Sequence, residues 1–131
     1  TKELCHICWN DSVKQIHDLV RGLSPYPGAF TELVKDGKAT QMKIFRTLKI
    51  EGEEYRKMLA QNNLAEAAPG TVLSDGKTYL AIAASDGAIS VTELQLAGKK
   101  RMQVKDFLIG FRDPQDYATS EGTSSQVTGR Q

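Results

Sequence analysis

The chain has 131 residues, 40% of them hydrophobic and 25% charged, which is the composition of one folded domain that needs no metal or disulfide for its core. No apolar run approaches the roughly 20 residues that cross a bilayer, and no signal peptide opens the sequence. The formal net charge of +1 gives no general preference for nucleic acid. The sequence begins with Thr1, so we expect a fragment or processed product, and its two cysteines fit a cytoplasmic location.

The first part of the chain is predicted to form a short strand, a capped helix and a rigid turn. Residues 4–9 alternate in hydrophobicity, with Cys5, Ile7 and Trp9 on one face. Ser12 is followed three positions later by Gln15, the spacing of a capping box at the start of a helix. Prolines at positions 25 and 27 end this helix and predict a rigid turn over residues 24–28.

The hydrophobic period then changes to two, which predicts about five strands joined by tight turns. The predicted strands, separated mainly by Asp–Gly turns, cover residues 29–34, 41–50, 71–74, 79–84 and 88–96. Residues 51–68 have no strand pattern. We interpret this segment as an excursion from the fold that is partly helical or mobile.

Two strands carry irregularities that predict β-bulges. The apolar face of residues 41–50 comprises Met42, Ile44, Leu48 and Ile50. Arg46 falls on the same parity, which predicts a bulge or a strand end at that position. In residues 88–96 the apolar parity changes near Thr92 and Glu93, and a bulge there would bend the strand as barrel closure requires.

Positive charge is concentrated in two short stretches. The strand over residues 88–96 runs into Gly98 and then into three consecutive cations, Lys99, Lys100 and Arg101. An unpaired buried charge is very costly, so these side chains must lie in water or at a partner's surface. Three further cations, Lys43, Arg46 and Lys49, lie on the strand over residues 41–50. A local basic face therefore persists within a nearly neutral total charge.

The end of the sequence predicts one more helix and then a tail. Val104, Phe107, Leu108 and Phe111 have the spacing of a short amphipathic helix. Residues 113–131 are rich in Ser, Thr, Gly and Gln, and we expect a disordered tail. The elements together predict a mainly β fold, a small OB-like β-barrel with an N-terminal helix and a short C-terminal helix.

Three stretches of the sequence resemble the C-terminal domain of methionyl-tRNA formyltransferase. They are IHDLVRGLSPYPGAF at residues 16–30, APGTV at residues 68–72, and ELQLAGKKRM at residues 93–102 followed by Asp106-Phe107-Leu108. The resemblance implies that residues 1–9 are the end of an interdomain linker and that residues 10–112 are an OB-like tRNA-binding domain, with the excursion at residues 51–68. The length of that excursion, and Gln103 where a helix-capping Ser is common, depart from the family pattern.

The resemblance also implies a function and partners. The parent enzyme would transfer a formyl group from 10-formyltetrahydrofolate to the amino group of initiator methionyl-tRNA, in the cytoplasm, at translation initiation. The catalytic residues and the folate loop belong to a preceding formyltransferase domain, so no catalytic residue, metal ligand or cofactor is expected in this chain. The expected partners are initiator tRNA and that preceding domain, with no membrane and a monomeric state. The implied tRNA-binding residues are Lys43, Arg46, Lys49, Lys99, Lys100 and Arg101.

Two other functions remain open at this point. The domain could be an interdomain scaffold in a related formyltransferase-family enzyme that acts on a small molecule. It could also be a free-standing OB module that binds single strands without preference.

Cys5-His6-Ile7-Cys8 and His17 are interpreted as packing residues, because no further metal ligands accompany them. Tyr26, flanked by prolines, is expected to pack on the helix before it.

Overall fold

The computed structural model describes residues 2–120 of the chain. Its helices are α1 (Lys2–Cys5), α2 (Val13–Leu23), α3 (Gly52–Gln61) and α4 (Val104–Gly110), with a 3-10 turn at Pro114–Asp116. Its strands are β1 (Ala29–Lys35), β2 (Lys38–Ile50), β3 (Val72–Ser74), β4 (Leu80–Ala83), β5 (Ala88–Leu96), β6 (Met102–Gln103) and β7 (Ala118–Thr119). Within these residues no helix has the length and apolar character to span a membrane.

The strands form one antiparallel sheet in the order β3-β4-β5-β2-β1-β7, and β6 pairs with β5. An isolated bridge between Thr71 and Ala118 connects the two ends of this order, so the sheet curls into a nearly closed barrel. Most of the fully buried side chains, among them Ile44, Ile82 and Leu94, fill its interior. The predicted mainly β, OB-like barrel with flanking helices is thereby confirmed.

Helix α2 begins as its sequence predicts. The Ser12 hydroxyl accepts a hydrogen bond from the backbone N–H of Gln15 at 3.1 Å, and the Gln15 side chain accepts one from the N–H of Ser12 at 2.9 Å. The N–H of Val13 donates to a carboxylate oxygen of Asp86 in the β4–β5 turn at 2.9 Å. The start of the helix is therefore fixed to the barrel, with Ile16 and Val20 buried beneath it.

Both predicted bulges are present, and they lie next to each other. Phe45 is an extra residue on β2 and Thr92 is an extra residue on β5, on either side of the pair Arg46–Glu93. Each bulge changes the side-chain parity of its strand by one position. Leu48 was expected in the core from its parity, and that expectation is wrong: the bulge at Phe45 turns Leu48 outward, where it is 57% exposed.

The excursion is a helix that covers a second, smaller core. Met58 and Leu59 of α3 pack against Ile50, Leu73 and Ala88 on the outer face of the sheet. After the helix, the Asn62 side chain accepts a hydrogen bond from the N–H of Ser74 at 3.1 Å and donates to the Tyr79 hydroxyl at 3.0 Å. Of the two interpretations of residues 51–68, the structure supports the helical one.

The first residues pack on the barrel, but not as the predicted strand. Residues Lys2–Cys5 are helical, and one backbone hydrogen bond, from Ile7 N–H to the Phe30 carbonyl at 2.9 Å, joins the following segment to β1. Cys5, Ile7 and Trp9 are nevertheless buried together, as their alternation indicates. An irregular segment can bury alternate side chains without pairing along its length, and a two-residue period does not distinguish it from a strand.

Residues 113–120 were predicted to begin a disordered tail, and this part of the prediction is wrong. Strand β7 pairs with β1 through Leu33–Thr119 and Val34–Ala118, and the Thr119 hydroxyl donates to the Gly70 carbonyl at 2.7 Å. The segment has few apolar residues, but it is held by backbone pairing with β1, by side-chain hydrogen bonds of Gln115 and Thr119, and by the ring of Tyr117 against that of Phe111. Composition does not reveal such contacts. The remainder of the predicted tail, residues 121–131, lies outside the described residues.

The two ends of the described chain meet at Glu32 on β1. Its carboxylate lies 2.8 Å from Nε2 of His6 and also accepts a hydrogen bond from the Ser120 hydroxyl. The backbone N–H of Ser120 donates to the Glu32 carbonyl at 3.0 Å. A single residue of the barrel thus holds both the incoming and the outgoing segment.

We expect truncation after Arg112 to destabilise the domain, because it removes the strand that closes the barrel. The truncation removes three hydrogen bonds: from Thr119 to the Gly70 carbonyl, from Ser120 to the Glu32 carbonyl and from Gln115 to the Ser74 carbonyl. At about 1 kcal/mol net for each bond, urea unfolding should give a free energy lower by roughly 2 kcal/mol or more. The reference is the chain ending at Ser120, which retains all of these hydrogen bonds. Equal free energies of unfolding for the two chains would show that residues 113–120 do not stabilise the domain.

Candidate nucleic-acid interface

Two of the six predicted cations converge on one carboxylate between the bulges. Glu93 lies opposite Arg46 across the β2–β5 ladder, and its side chain is only 16% exposed. Arg46 Nε is 3.2 Å from one Glu93 oxygen. Arg101 donates to both oxygens, from Nε at 3.0 Å and from Nη2 at 3.2 Å. This two-pronged geometry fixes the plane of the Arg101 guanidinium.

The ring of Phe45 stacks against the same guanidinium group. The carbon at the centre of the Arg101 guanidinium lies 4.0 Å from the centroid of the Phe45 ring, which is a cation–π distance. The hydrogen bonds from Arg101, followed by the charges of Arg101 and Arg46, hold the pKa of Glu93 below its ordinary value. The carboxylate therefore stays ionised and keeps both arginines in place.

An open groove of about 670 Å³ lies between this cluster and helix α2. Its lining includes His17, Arg21, Phe45, Arg46, Thr92 and Arg101. The site prediction did not include Arg21, which lies in the last turn of α2 away from both basic stretches of the sequence. Its position one turn after His17, on the side of the helix that faces β2, is the signal that would have identified it.

His17 joins the helix to β2 at this groove. Its Nδ1 lies 2.7 Å from the Thr47 hydroxyl, so it is hydrogen-bonded as expected. Burial, together with the positive charges of Lys49 and Arg21, lowers the pKa of His17. Lys49 follows Thr47 by two residues on β2, so it lies near the same groove. Arg46, Arg101 and Lys49 thus belong to one region of the surface.

Lys99 and Lys100 lie outside that groove, on the loop between β5 and β6. Both are exposed, and the loop is held by the Gln95 side chain, which donates to the Lys99 carbonyl at 2.8 Å. The two lysines line a smaller cavity of about 200 Å³ whose other walls, such as Leu96 and Phe107, are mostly apolar. The two lysines directly precede Arg101 in the chain, and they line a different cavity from the groove that Arg101 lines.

Lys43 lies apart, on the side of the barrel next to the proline turn. It pairs with Gln95 across the ladder, and a depression of about 470 Å³ separates it from Tyr26. A Cβ atom at Gly28 would lie 3.3 Å from the Lys43 side chain, so the turn approaches β2 closely there. The expectation that Tyr26 packs on α2 is wrong, since its side chain is 85% exposed.

The cysteines form no site in the part of the chain that is described. Cys5 and Cys8 are free thiols, and Cys5 is buried. Residues 2–120 contain no group of three or more His, Cys, Asp or Glu side chains placed to hold a metal ion. The interface presents cations held in place by hydrogen bonds, and their N–H groups suit anionic oxygens.

Comparison with known proteins gives a consistent result. The sequence model of a family described as "Formyl transferase, C-terminal domain" matches residues 1–112. A methionyl-tRNA formyltransferase of Parabacteroides distasonis is 44% identical over 117 residues, which cover 88% of this chain and 33% of that protein. A methionyl-tRNA formyltransferase of Phocaeicola vulgatus is 49% identical over 112 residues, which cover 85% of this chain and 31% of that protein. The chain spans about a third of the length of the curated relatives it matches.

We predict that Glu93→Gln lowers the free energy of unfolding by about 1 kcal/mol near neutral pH, because it weakens charge-assisted hydrogen bonds to two arginines. The pKa of Glu93 is lower in the folded than in the unfolded state, so this stabilisation is present above the ordinary Glu pKa. It disappears as the pH falls through the lowered value. Urea unfolding as a function of pH should therefore show a stability difference that closes on acidification.

The control for this experiment is Glu53→Gln, which removes the carboxylate of an exposed pair with Arg56 on α3. We expect almost no change there, since exposed ion pairs contribute little. A difference between wild type and Glu93→Gln that persists unchanged in acid would contradict the electrostatic explanation.

Proposed function

Because this chain belongs to the formyl transferase C-terminal domain family, we propose that it is the tRNA-binding part of a methionyl-tRNA formyltransferase. In this proposal residues 1–9 are the end of the connection from a preceding catalytic domain. Residues 10–112, with the helix of the 51–68 excursion, form the binding domain. The segment at residues 113–120 completes its barrel.

The parent enzyme would transfer a formyl group from 10-formyltetrahydrofolate to the amino group of initiator methionyl-tRNA, in the cytoplasm and as a monomer. The residues that perform this transfer belong, in the proposal, to the preceding domain. The present domain contributes binding energy. Interactions remote from the reacting atoms raise the local concentration of the acceptor end and restrict its orientation, which lowers the barrier to transfer.

The observation that carries the proposal is the group of cations at the end of β5: Arg46 and Arg101, which share the Glu93 carboxylate, and the adjoining lysines of the β5–β6 loop. Arg46 and Arg101 are held in place by Glu93, while Lys99 and Lys100 project into solvent. Guanidinium groups that are already ordered give up less conformational freedom when they bind phosphate. Interactions of this kind fix the position of an RNA without reading its sequence. Lys49 adds a cation to β2 beyond Arg46, and Lys43 adds one on the side of the barrel next to the proline turn.

We expect the double change Lys99→Glu and Lys100→Glu to weaken tRNA binding and to reduce its salt dependence. On a duplex region, removing the neutralisation of one phosphate lowers the slope of log K against log salt by about 0.9. Arg101 is kept in this variant, because reversing its charge would also disturb Glu93. Fluorescence anisotropy of labelled tRNA across a salt series measures both the affinity and the slope.

The matched control is Lys57→Glu with Lys77→Glu, the same charge change at two exposed lysines on α3 and the β3–β4 turn. This control should keep most of the wild-type affinity. If the wild-type chain binds no tRNA even at low salt, the proposal fails for this domain, and the scaffold function would have to be tested in the full-length enzyme. Equal binding of tRNA and single-stranded oligonucleotides would favour the non-specific OB module.

A further inference from the structure

We propose that the groove between α2 and the paired bulges is a distinct phosphodiester-binding site in which Arg21 is a primary ligand. The inference rests on the proposed function, since its ligand is the backbone of the bound RNA. The added binding residue, Arg21, lies outside both basic stretches of the sequence, at residues 43–49 and 99–101. The inference also separates this site from the exposed lysines of the β5–β6 loop.

The charge of the groove favours an anion. Arg21, Arg46 and Arg101 line it, and the carboxylate of Glu93 neutralises one of these three positive charges. Glu93 itself does not line the groove, so an entering phosphate would meet the guanidiniums and not the carboxylate. The net charge that remains is positive, and Lys49 nearby increases it.

The donors on the barrel wall are ordered and only partly used. Arg101 uses Nε and Nη2 for Glu93, and the described residues supply no acceptor for its Nη1. Stacking on Phe45 prevents this guanidinium from turning away. The N–H groups that remain are thus available to phosphate oxygens in a fixed orientation, the arrangement in which Arg binds phosphate best.

Arg21 faces these donors from the helix. It is exposed, and it has no hydrogen bond or ion pair with any residue between 2 and 120. Structural arginines on helices commonly pair with a carboxylate, and the neighbouring Asp18 is occupied by Lys14 at 2.8 Å. The charge of Arg21 acts on Asp18 and His17, but its N–H groups are not used within residues 2–120, so its place on the groove suits a ligand from outside.

His17 provides an independent reporter on the groove wall. Its pKa is lowered mainly by burial and then by Lys49 and Arg21, while Asp18 acts in the opposite direction. A phosphate bound beside it would favour the imidazolium form and raise this pKa. His6 is the other histidine of the chain, and it lies against Glu32 at the end of β1 and outside the groove. It serves as an internal reference.

The test combines two measurements on the 131-residue chain. In anisotropy titrations with tRNA, Arg21→Gln should weaken binding several-fold and reduce the salt slope by about 1, while Arg21→Lys should keep the slope. Arg56→Gln on α3 is the control of the same type and should leave both unchanged. In NMR titrations, bound tRNA should raise the pKa of His17, and it should shift the imidazole resonances of His17 more than those of His6.

The outcomes separate the two proposals. If tRNA binds with a clear salt slope, yet Arg21→Gln keeps that slope and the pKa of His17 does not move, the groove is not a phosphate site and only this inference is wrong. If the wild-type chain fails to bind tRNA at low salt, both this inference and the proposed function are wrong. Arg21→Gln should fold normally, since that side chain makes no hydrogen bond or ion pair within residues 2–120, and its unfolding curve checks this.

Discussion

The pair of bulges between β2 and β5 is the constraint on which the arrangement of this domain depends. Without the extra residue at Phe45, Arg46 would continue the inward parity of Met42 and Ile44 and bring its charge into the core. The bulge turns it outward. The second bulge, at Thr92, adds one residue to the partner strand, so the ladder returns to its original register beyond the pair. One long strand can then border two cores and still present its cations on the surface.

The same distortion explains why two arginines can lie side by side. Two guanidinium groups at close range repel each other, and a carboxylate between them removes that cost. Glu93 is opposite Arg46 only because the bulges on either side isolate this pair in the ladder. Glu93 also accepts two hydrogen bonds from Arg101, which lies at the end of the β5–β6 loop. Backbone geometry and electrostatics are therefore interdependent here, and neither alone would order the positive surface.

Much of this could be predicted from the sequence, and the failures have physical causes. The capping box of Ser12, the Asp–Gly turns and both bulges are local features, in which a few neighbouring residues determine the conformation. Residues 113–120 are different, because their hydrogen bonds go to β1, to Gly70 and to Ser74, which are distant in sequence, and such contacts leave little trace in composition. Arg21 was not predicted for a related reason. Its place on the groove depends on the packing of α2 beside β2, and its spacing of one turn after His17 is the local signal of that packing.

The meeting of both chain segments at Glu32 has a consequence for how such a domain is joined to others. His6 and Ser120 contact the same side chain, so the chain segments that enter and leave the barrel lie next to each other. A module with this geometry can be added to a larger protein, or placed within a loop of one, without stretching either fold. It also makes the barrel suitable for circular permutation, with new ends opened at an exposed turn such as Asp36-Gly37.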